Sequence, residues 1–83
     1  MFFLYILRSE VTGKHYIGTS KNVSTRLAHH NAGGTLSTKS ARPWKLLYTE
    51  GFATLSEARQ REKQIKSWKN PAYMVQTLGI HTE

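Results

Sequence analysis

Two short segments near the N-terminus, FFLYIL (residues 2–7) and HYIGT (residues 15–19), are separated by the glycine-containing segment VTGK. Both segments are rich in the aromatic and branched residues that strands favour, and glycine suits a turn, so the pattern predicts a β-hairpin. FFLYIL is apolar at every position, which is typical of a strand covered on both faces. The first strand is therefore expected at the centre of a sheet.

Two tyrosines of this hairpin are expected on one face of the sheet. In an antiparallel hairpin with an even-numbered loop, directly paired residues have positions that add up to an odd number. Tyr5 and Tyr16 have opposite parity, so any such register puts both rings on the same side. Taken singly, each is typical of a core tyrosine that needs only a hydrogen-bond partner. Gly18 leaves room for backbone or substrate to approach closely.

Three helices and a third strand are predicted after the hairpin. Capping signals and apolar spacing predict helices from about residue 22 to 30, from 54 to about 68 and from 71 to 79. Alternating apolar residues predict a strand from 43 to 52. The segment TLSTKSAR, which precedes that strand, is expected to be a polar, basic loop.

Length and composition narrow the class of protein. At 83 residues the chain, residues 1–83, is expected to be a single domain with one sheet and two or three helices. It contains no cysteine, so a disulfide framework and a thiolate zinc site are excluded, and a cytoplasmic location is expected. The N-terminal apolar run is too short to cross a bilayer, so we expect a strand there and no membrane association.

The charge balance favours a nucleic-acid partner. Twelve Lys and Arg residues oppose five acidic ones, which gives a formal net charge of +7 and a pI of about 10.1. A domain pI above roughly 9 is the electrostatic footprint of a nucleic-acid binder. On charge alone, the alternatives are a basic protein without such a partner and one that binds anionic membranes.

Acidic residues are scarce, and this limits the metal chemistry. The chain has no aspartate and five glutamates. A two-metal phosphodiesterase holds its ions with several converging carboxylates, so the composition disfavours that class. If the chain cuts phosphodiesters, we expect one metal ion held by few ligands, with cations and phenols supplying the rest.

Charged residues beside apolar helix faces are the other candidates for a site. The helix after the hairpin, capped by Ser20 or Asn22, carries Arg26 and His30 four residues apart and therefore on one face. In the long helix, Glu62 falls within the apolar stripe. A carboxylate there must be paired, hydrogen-bonded or bound to a metal. The alternatives are a structural histidine and a salt bridge from Glu62 to a neighbouring Lys or Arg.

These residues together resemble the GIY-YIG nuclease family, and specifically its small stand-alone branch. The YIG tripeptide is intact at residues 16–18, and FLY at residues 3–5 matches the GIY element with its glycine lost. The family's helix arginine matches Arg26, its histidine four residues on matches His30, and its metal-binding glutamate matches Glu62.

The resemblance implies an α+β fold, with a three-stranded antiparallel sheet flanked by helices, and metal-dependent cleavage of DNA. Glu62 would hold one Mg²⁺ or Mn²⁺ ion, and Arg26 would offset charge on the scissile phosphate. Tyr16 is favoured as the acceptor of the proton from the attacking water, and Tyr5 would position the water or phosphate. His30 would either relay the proton or orient Tyr16.

The partner implied by the resemblance is DNA, cut with weak sequence preference in the manner of a repair or recombination nuclease. We expect structure-selective nicking, or targeting by a protein partner or a homodimer. Backbone phosphate contacts are expected from the basic residues Lys14, Lys21, Lys39, Arg42 and Lys45. The main alternative is a non-catalytic nucleic-acid-binding module with the nuclease fold, and a basic scaffold for a protein partner is a third.

Overall fold

A three-stranded antiparallel sheet forms the middle of the fold in the computed structural model, which describes residues 1–80. Its strands are β1 (Phe2–Ser9), β2 (His15–Ser20) and β3 (Trp44–Phe52), in the order β2-β1-β3. β1 pairs with both neighbours, and residues 4–7 within it are all buried. The predicted hairpin, its central first strand and the third strand are confirmed.

The register of the hairpin decides which side chains share a face. Tyr5 lies opposite Gly18, and Leu7 lies opposite Tyr16, so paired positions add up to an odd number as predicted. The two tyrosine rings lie on the same face with their centroids 6.3 Å apart. This register is what places both phenols beside the same helices.

Four helices flank the sheet. They are α1 (Val23–Asn31), α2 (Leu36–Lys39), α3 (Leu55–Ser67) and α4 (Pro71–Leu78). The three predicted helices correspond to α1, α3 and α4. Each begins after a side chain that accepts hydrogen bonds from backbone N–H groups of the first turn, and these caps are Asn22, Thr54 and Asn70.

The segment TLSTKSAR contains α2, so the expectation of a loop there is wrong in part. Thr38 within α2 is buried, and its carbonyl accepts a hydrogen bond of 2.9 Å from the indole N–H of Trp44. A contact with β3 therefore stabilises this short helix. The local sequence, which is mostly polar, gives no sign of that contact.

Alternate residues of β1 enter two separate cores. On one face, Leu4 and Ile6 pack against α3 and α4. On the other face, Tyr5 and Leu7 pack against Trp44 and α1. Helices therefore cover both faces of the sheet, which explains why β1 is apolar throughout.

The spacing of apolar residues in the sequence predicts a stripe of Leu55, Ala58 and Ile65 on α3, with Trp68 at its margin, and the structure buries only part of it. Ala58 and Ile65 are buried, but Leu55 is 37% exposed and lines a shallow surface groove with other residues of α3.

None of the helices within residues 1–80 is long and apolar enough to cross a membrane.

Candidate active site

A cleft of about 480 Å³, called here the tyrosine cleft, opens between β2, α1 and α3. Four of the five residues that the sequence singled out for catalysis line it, namely Tyr5, Tyr16, Arg26 and Glu62. The fifth, His30, is buried beside the two tyrosines, with its ring centroid 6.1 Å from that of Tyr5 and 4.7 Å from that of Tyr16. Residues from four different elements therefore meet at one place.

Gly18 makes room for the Tyr5 ring. A Cβ atom added at Gly18 would lie 2.6 Å from the Tyr5 hydroxyl oxygen and 2.7 Å from Cζ, closer than real Cβ contacts allow. The neighbour that approaches this glycine is thus the first tyrosine of the site. The Tyr5 side chain therefore packs directly against Gly18 of β2, and Tyr5 also lines the cleft.

A buried chain of hydrogen bonds runs from Tyr5 through α1 to α2. The Tyr5 hydroxyl lies 3.1 Å from His30 Nε2, and His30 Nδ1 lies 2.9 Å from the Thr38 hydroxyl. The Thr38 hydroxyl donates to the Thr35 carbonyl at 3.3 Å. With that proton assigned, Thr38 accepts from His30 Nδ1–H, and Nε2 is left to accept from the Tyr5 hydroxyl. This hydrogen-bond network therefore holds His30 in the tautomer that carries its proton on Nδ1.

Burial sets the protonation states of Tyr5 and His30 in this hydrogen-bond network. Burial lowers the pKa of His30 below its ordinary value of 6.5, and the positive charges of Arg26 and His29 lower it further. Burial raises the pKa of Tyr5 above its ordinary value of 10.0, an effect that the nearby Arg26 guanidinium opposes. At neutral pH both side chains are therefore uncharged, with Tyr5 as the donor and the imidazole as the acceptor.

Tyr16 differs from Tyr5 in its surroundings. It is only partly buried, and its ring packs against the His30 ring and the edge of the Trp44 ring, 6.3 Å away. His30 contacts Tyr16 as one ring against another, whereas it forms a hydrogen bond with Tyr5. The imidazole therefore positions the hydroxyl of Tyr5 directly and the ring of Tyr16 by packing.

Glu62 lies on the α3 side of the tyrosine cleft. Its side chain is 21% exposed, and its Oε2 atom forms an ion pair of 2.6 Å with Lys66 Nζ, one turn further along the helix. The salt bridge that the sequence offered as an alternative is therefore present. It engages one carboxylate oxygen, and Oε1 has no protein partner within residues 1–80.

The donor set of the cleft fits a hard divalent cation that keeps most of its water. Glu62 is the one carboxylate among the residues that line the cleft. Within residues 1–80, no group of three or more His, Cys, Asp or Glu side chains is arranged to hold a metal ion. Mg²⁺ often binds through one or two carboxylates, with substrate phosphate oxygens and water completing its shell. The site suits one such ion.

Three basic residues of the cleft were missed in reading the sequence. Arg59, Lys63 and Lys66 line it together with Glu62. Along α3, Arg59, Glu62, Lys63 and Lys66 occupy positions i, i+3, i+4 and i+7, so they lie on one side of the helix. That spacing was readable from the sequence as a charged stripe. With Arg26, it gives the cleft four cations against one carboxylate.

None of the five residues expected to contact DNA backbone lines the cleft. Lys14 lies in the hairpin turn, and the Lys21 ammonium lies 5.2 Å from the centroid of the Phe2 ring. Lys39 at the end of α2 and Arg42 just after it lie against Gly33, and Lys45 on β3 lies opposite Arg8 in the β1–β3 register.

Comparison with known proteins agrees with the fold. Residues 1–75 match the family model described as the GIY-YIG catalytic domain. A UPF0213 protein of Streptococcus pneumoniae is 39% identical over 70 residues, which cover 83% of this chain and 70% of that protein. A UPF0213 protein of Staphylococcus haemolyticus is 42% identical over 67 residues, which cover 80% of each chain. The UPF0213 protein of Staphylococcus epidermidis shows the same identity and coverage.

Proposed function

Because the chain belongs to the family of GIY-YIG catalytic domains, we propose that it is an endonuclease that nicks DNA with the help of one divalent metal ion. The observation that carries the proposal is the convergence of Tyr5, Tyr16, Arg26 and Glu62 on one cleft. A binding surface for phosphate needs cations alone. The carboxylate and the two phenols are the groups that hydrolysis requires in addition.

The charge of the tyrosine cleft supports DNA as the substrate. Arg26, Arg59, Lys63 and Lys66 surround the position of Glu62. Cations that line a concave surface attract polyanions, and they stabilise the extra negative charge that develops on a phosphate under attack. Arg26, at the edge of Tyr5, is the cation we assign to the scissile phosphate.

Glu62 is the residue that would hold the metal ion, through the carboxylate oxygen that Lys66 leaves available. A divalent ion bound there would polarise a phosphate oxygen and stabilise the leaving 3′-oxygen. Lys66 holds the carboxylate in the cleft before substrate arrives. Because Lys66 also lines the cleft and its side chain is exposed, its ammonium would pair with a phosphate oxygen instead when the carboxylate binds a cation.

The two tyrosines take different roles in this proposal. The Tyr5 hydroxyl donates a hydrogen bond to His30, so its oxygen keeps lone pairs that can accept hydrogen bonds from Arg26 and from a water molecule. It acts as a positioning group. Tyr16 is the more exposed phenol of the cleft and has no buried imidazole as a hydrogen-bond acceptor, so we assign to it the uptake of the proton from the attacking water.

A plasmid-nicking assay tests the proposal. Supercoiled and branched DNA are incubated with the protein in Mg²⁺ or Mn²⁺, with EDTA as the control. Glu62→Ala is compared with Glu10→Ala, which removes the same charge from an exposed turn residue outside the cleft. We expect Glu62→Ala to lower nicking more than about 100-fold, because Lewis-acid stabilisation is worth several kcal/mol.

The same assay separates the nuclease from a non-catalytic DNA-binding module. A binding module would retain the Glu62–Lys66 ion pair as a structural feature and would bind DNA in a salt-sensitive manner. Absence of nicking by folded wild-type protein, with DNA binding equal in Glu62→Ala and Glu10→Ala, would favour that alternative.

A further inference from the structure

A second concavity, called here the hairpin groove, continues from the tyrosine cleft. It has a volume of about 600 Å³ and lies between the hairpin turn, the C-terminal turn of α3 and the start of α4. Tyr16 and Lys66 line both concavities. A strand of DNA whose phosphate lies in the tyrosine cleft would therefore enter the hairpin groove with its next nucleotide.

The hairpin groove has an apolar floor and a basic rim. Ile17, Ile65 and Met74 line its floor, and Tyr16 lines both this groove and the tyrosine cleft. The cations at the rim are Lys14, Lys66 and Lys69, and no acidic residue lines the groove. Phosphates would be attracted to the lysines of the rim, but the apolar floor has no charged group to bind them.

A buried polar atom in the groove also lacks a partner. His15 lines the groove, and its Nε2 atom is inaccessible to solvent and makes no hydrogen bond within residues 1–80. Burial and the neighbouring Arg8 lower the pKa of His15, so the ring is neutral at pH 7. A neutral imidazole can exchange a hydrogen bond with the edge of a nucleobase if the ring turns toward the groove.

We propose that the hairpin groove binds an unpaired nucleotide next to the scissile phosphate, with the base against the apolar floor and its phosphates on the lysine rim. This inference rests on the proposed nuclease function and names its substrate class, DNA with a single-stranded segment beside a duplex. An intact duplex presents phosphates and sugars outward and keeps its bases stacked, so it would leave the floor unused. An already unpaired base avoids the free-energy cost of leaving the stack.

The size of the effect follows from the burial of apolar surface. If one base removes roughly 40 Å² of apolar surface from water, at about 25 cal/mol per Å², its affinity rises about fivefold. We therefore expect DNA with a single-stranded tail to bind at least about fivefold more tightly than the same duplex without a tail. Apolar contact releases no counterions, so the part of this preference that comes from the base should persist as salt rises, while the part that comes from the lysine rim falls.

Fluorescence anisotropy in EDTA tests the inference without any requirement for cleavage. The full chain is titrated with a short duplex, with the same duplex carrying a single-stranded tail, and with a tail of equal length made of abasic nucleotides. The abasic tail keeps the phosphates and removes the bases. We expect tight binding of the normal tail only, and an abasic tail that binds no better than the duplex at elevated salt.

Two charge reversals locate the effect. Lys69→Glu alters the rim of the groove, and Lys45→Glu makes the same charge change on β3, outside the groove. We expect Lys69→Glu to reduce the preference for the tail, and Lys45→Glu to weaken the binding of both DNAs equally. Thermal unfolding verifies that both variants are folded.

Equal binding of normal and abasic tails at elevated salt, or an unchanged tail preference in Lys69→Glu, would overturn the inference. Either result would leave the nicking assay unaffected. Conversely, a tail preference in a protein that does not nick DNA would support the groove while removing the proposed enzyme activity.

Discussion

Replacing Gly18 with alanine would put a methyl group 2.6 Å from the Tyr5 hydroxyl and 2.7 Å from the ring carbon Cζ. Tyr5 is 1% exposed, so a movement of its ring away from Gly18 disturbs its packing in the core. The ring must therefore shift, and its hydrogen bond to His30 Nε2 is the contact most directly affected.

Two contributions set the magnitude. Overpacking a well-packed site costs about 1–3 kcal/mol, and leaving a buried acceptor such as His30 Nε2 without its partner costs about 1–3 kcal/mol. Together they predict that Gly18→Ala lowers the free energy of unfolding by about 2–6 kcal/mol. This is a large part of the roughly 5–15 kcal/mol that stabilises a typical domain.

Urea denaturation followed by circular dichroism measures the effect, and Gly51→Ala is the matched control. A Cβ atom at Gly51 would meet the Met1 sulfur at 2.8 Å, but Met1 is exposed and its flexible side chain can move aside. We expect a change of at most about 0.5 kcal/mol for Gly51→Ala, as for other surface substitutions. The reasoning is refuted if the two variants lose equal stability, or if Gly18→Ala is as stable as the wild type.

Two further predictions concern the buried histidine and the ion pair. The pKa of His30 is lowered in the folded state, below its ordinary value of 6.5. As pH drops below 6.5, the unfolded state therefore binds more protons than the folded state. The free energy of unfolding should fall with a slope of up to about 1.4 kcal/mol per pH unit. Unfolding midpoints at several pH values should show a shallower slope in His30→Gln than in the exposed-site control His29→Gln, and equal slopes would contradict the assignment. Replacing Lys66 with methionine frees the second carboxylate oxygen of Glu62, so calorimetry without DNA should show tighter Mn²⁺ binding than in the control Lys63→Met. Unchanged Mn²⁺ affinity would mean that the ion pair and the cation do not compete.

The sequence specified much of the fold because its local signals agree with one another. Tyr5 and Tyr16 have positions of opposite parity, so a short, glycine-containing turn between the strands puts both rings on one face of the sheet. The caps Asn22 and Thr54 begin helices whose apolar residues face the sheet. Those signals involve neighbours in sequence, or a strand partner across one turn, and for that reason a pattern can reveal them.

Parts of the site depend on contacts that no local pattern contains. Thr38 supports His30 only because α2, stabilised by Trp44, lies against α1. The occupant of the space at Gly18 is the side chain of Tyr5, which only the strand register identifies. The resemblance to a known family was needed to predict that four elements converge on the cleft. Helix and strand periodicity assign residues to faces, but they do not show which faces meet.

The most direct test of the central claim is to cut a DNA oligonucleotide in water enriched in oxygen-18 and to weigh the products by mass spectrometry. The account predicts cleavage only with Mg²⁺ or Mn²⁺ present, one heavy oxygen in the new 5′-phosphate, and an unlabelled 3′-hydroxyl on the other product, because water attacks and the 3′-oxygen leaves. Absence of product from folded protein, cleavage that persists in EDTA, or DNA joined covalently to a tyrosine would contradict it.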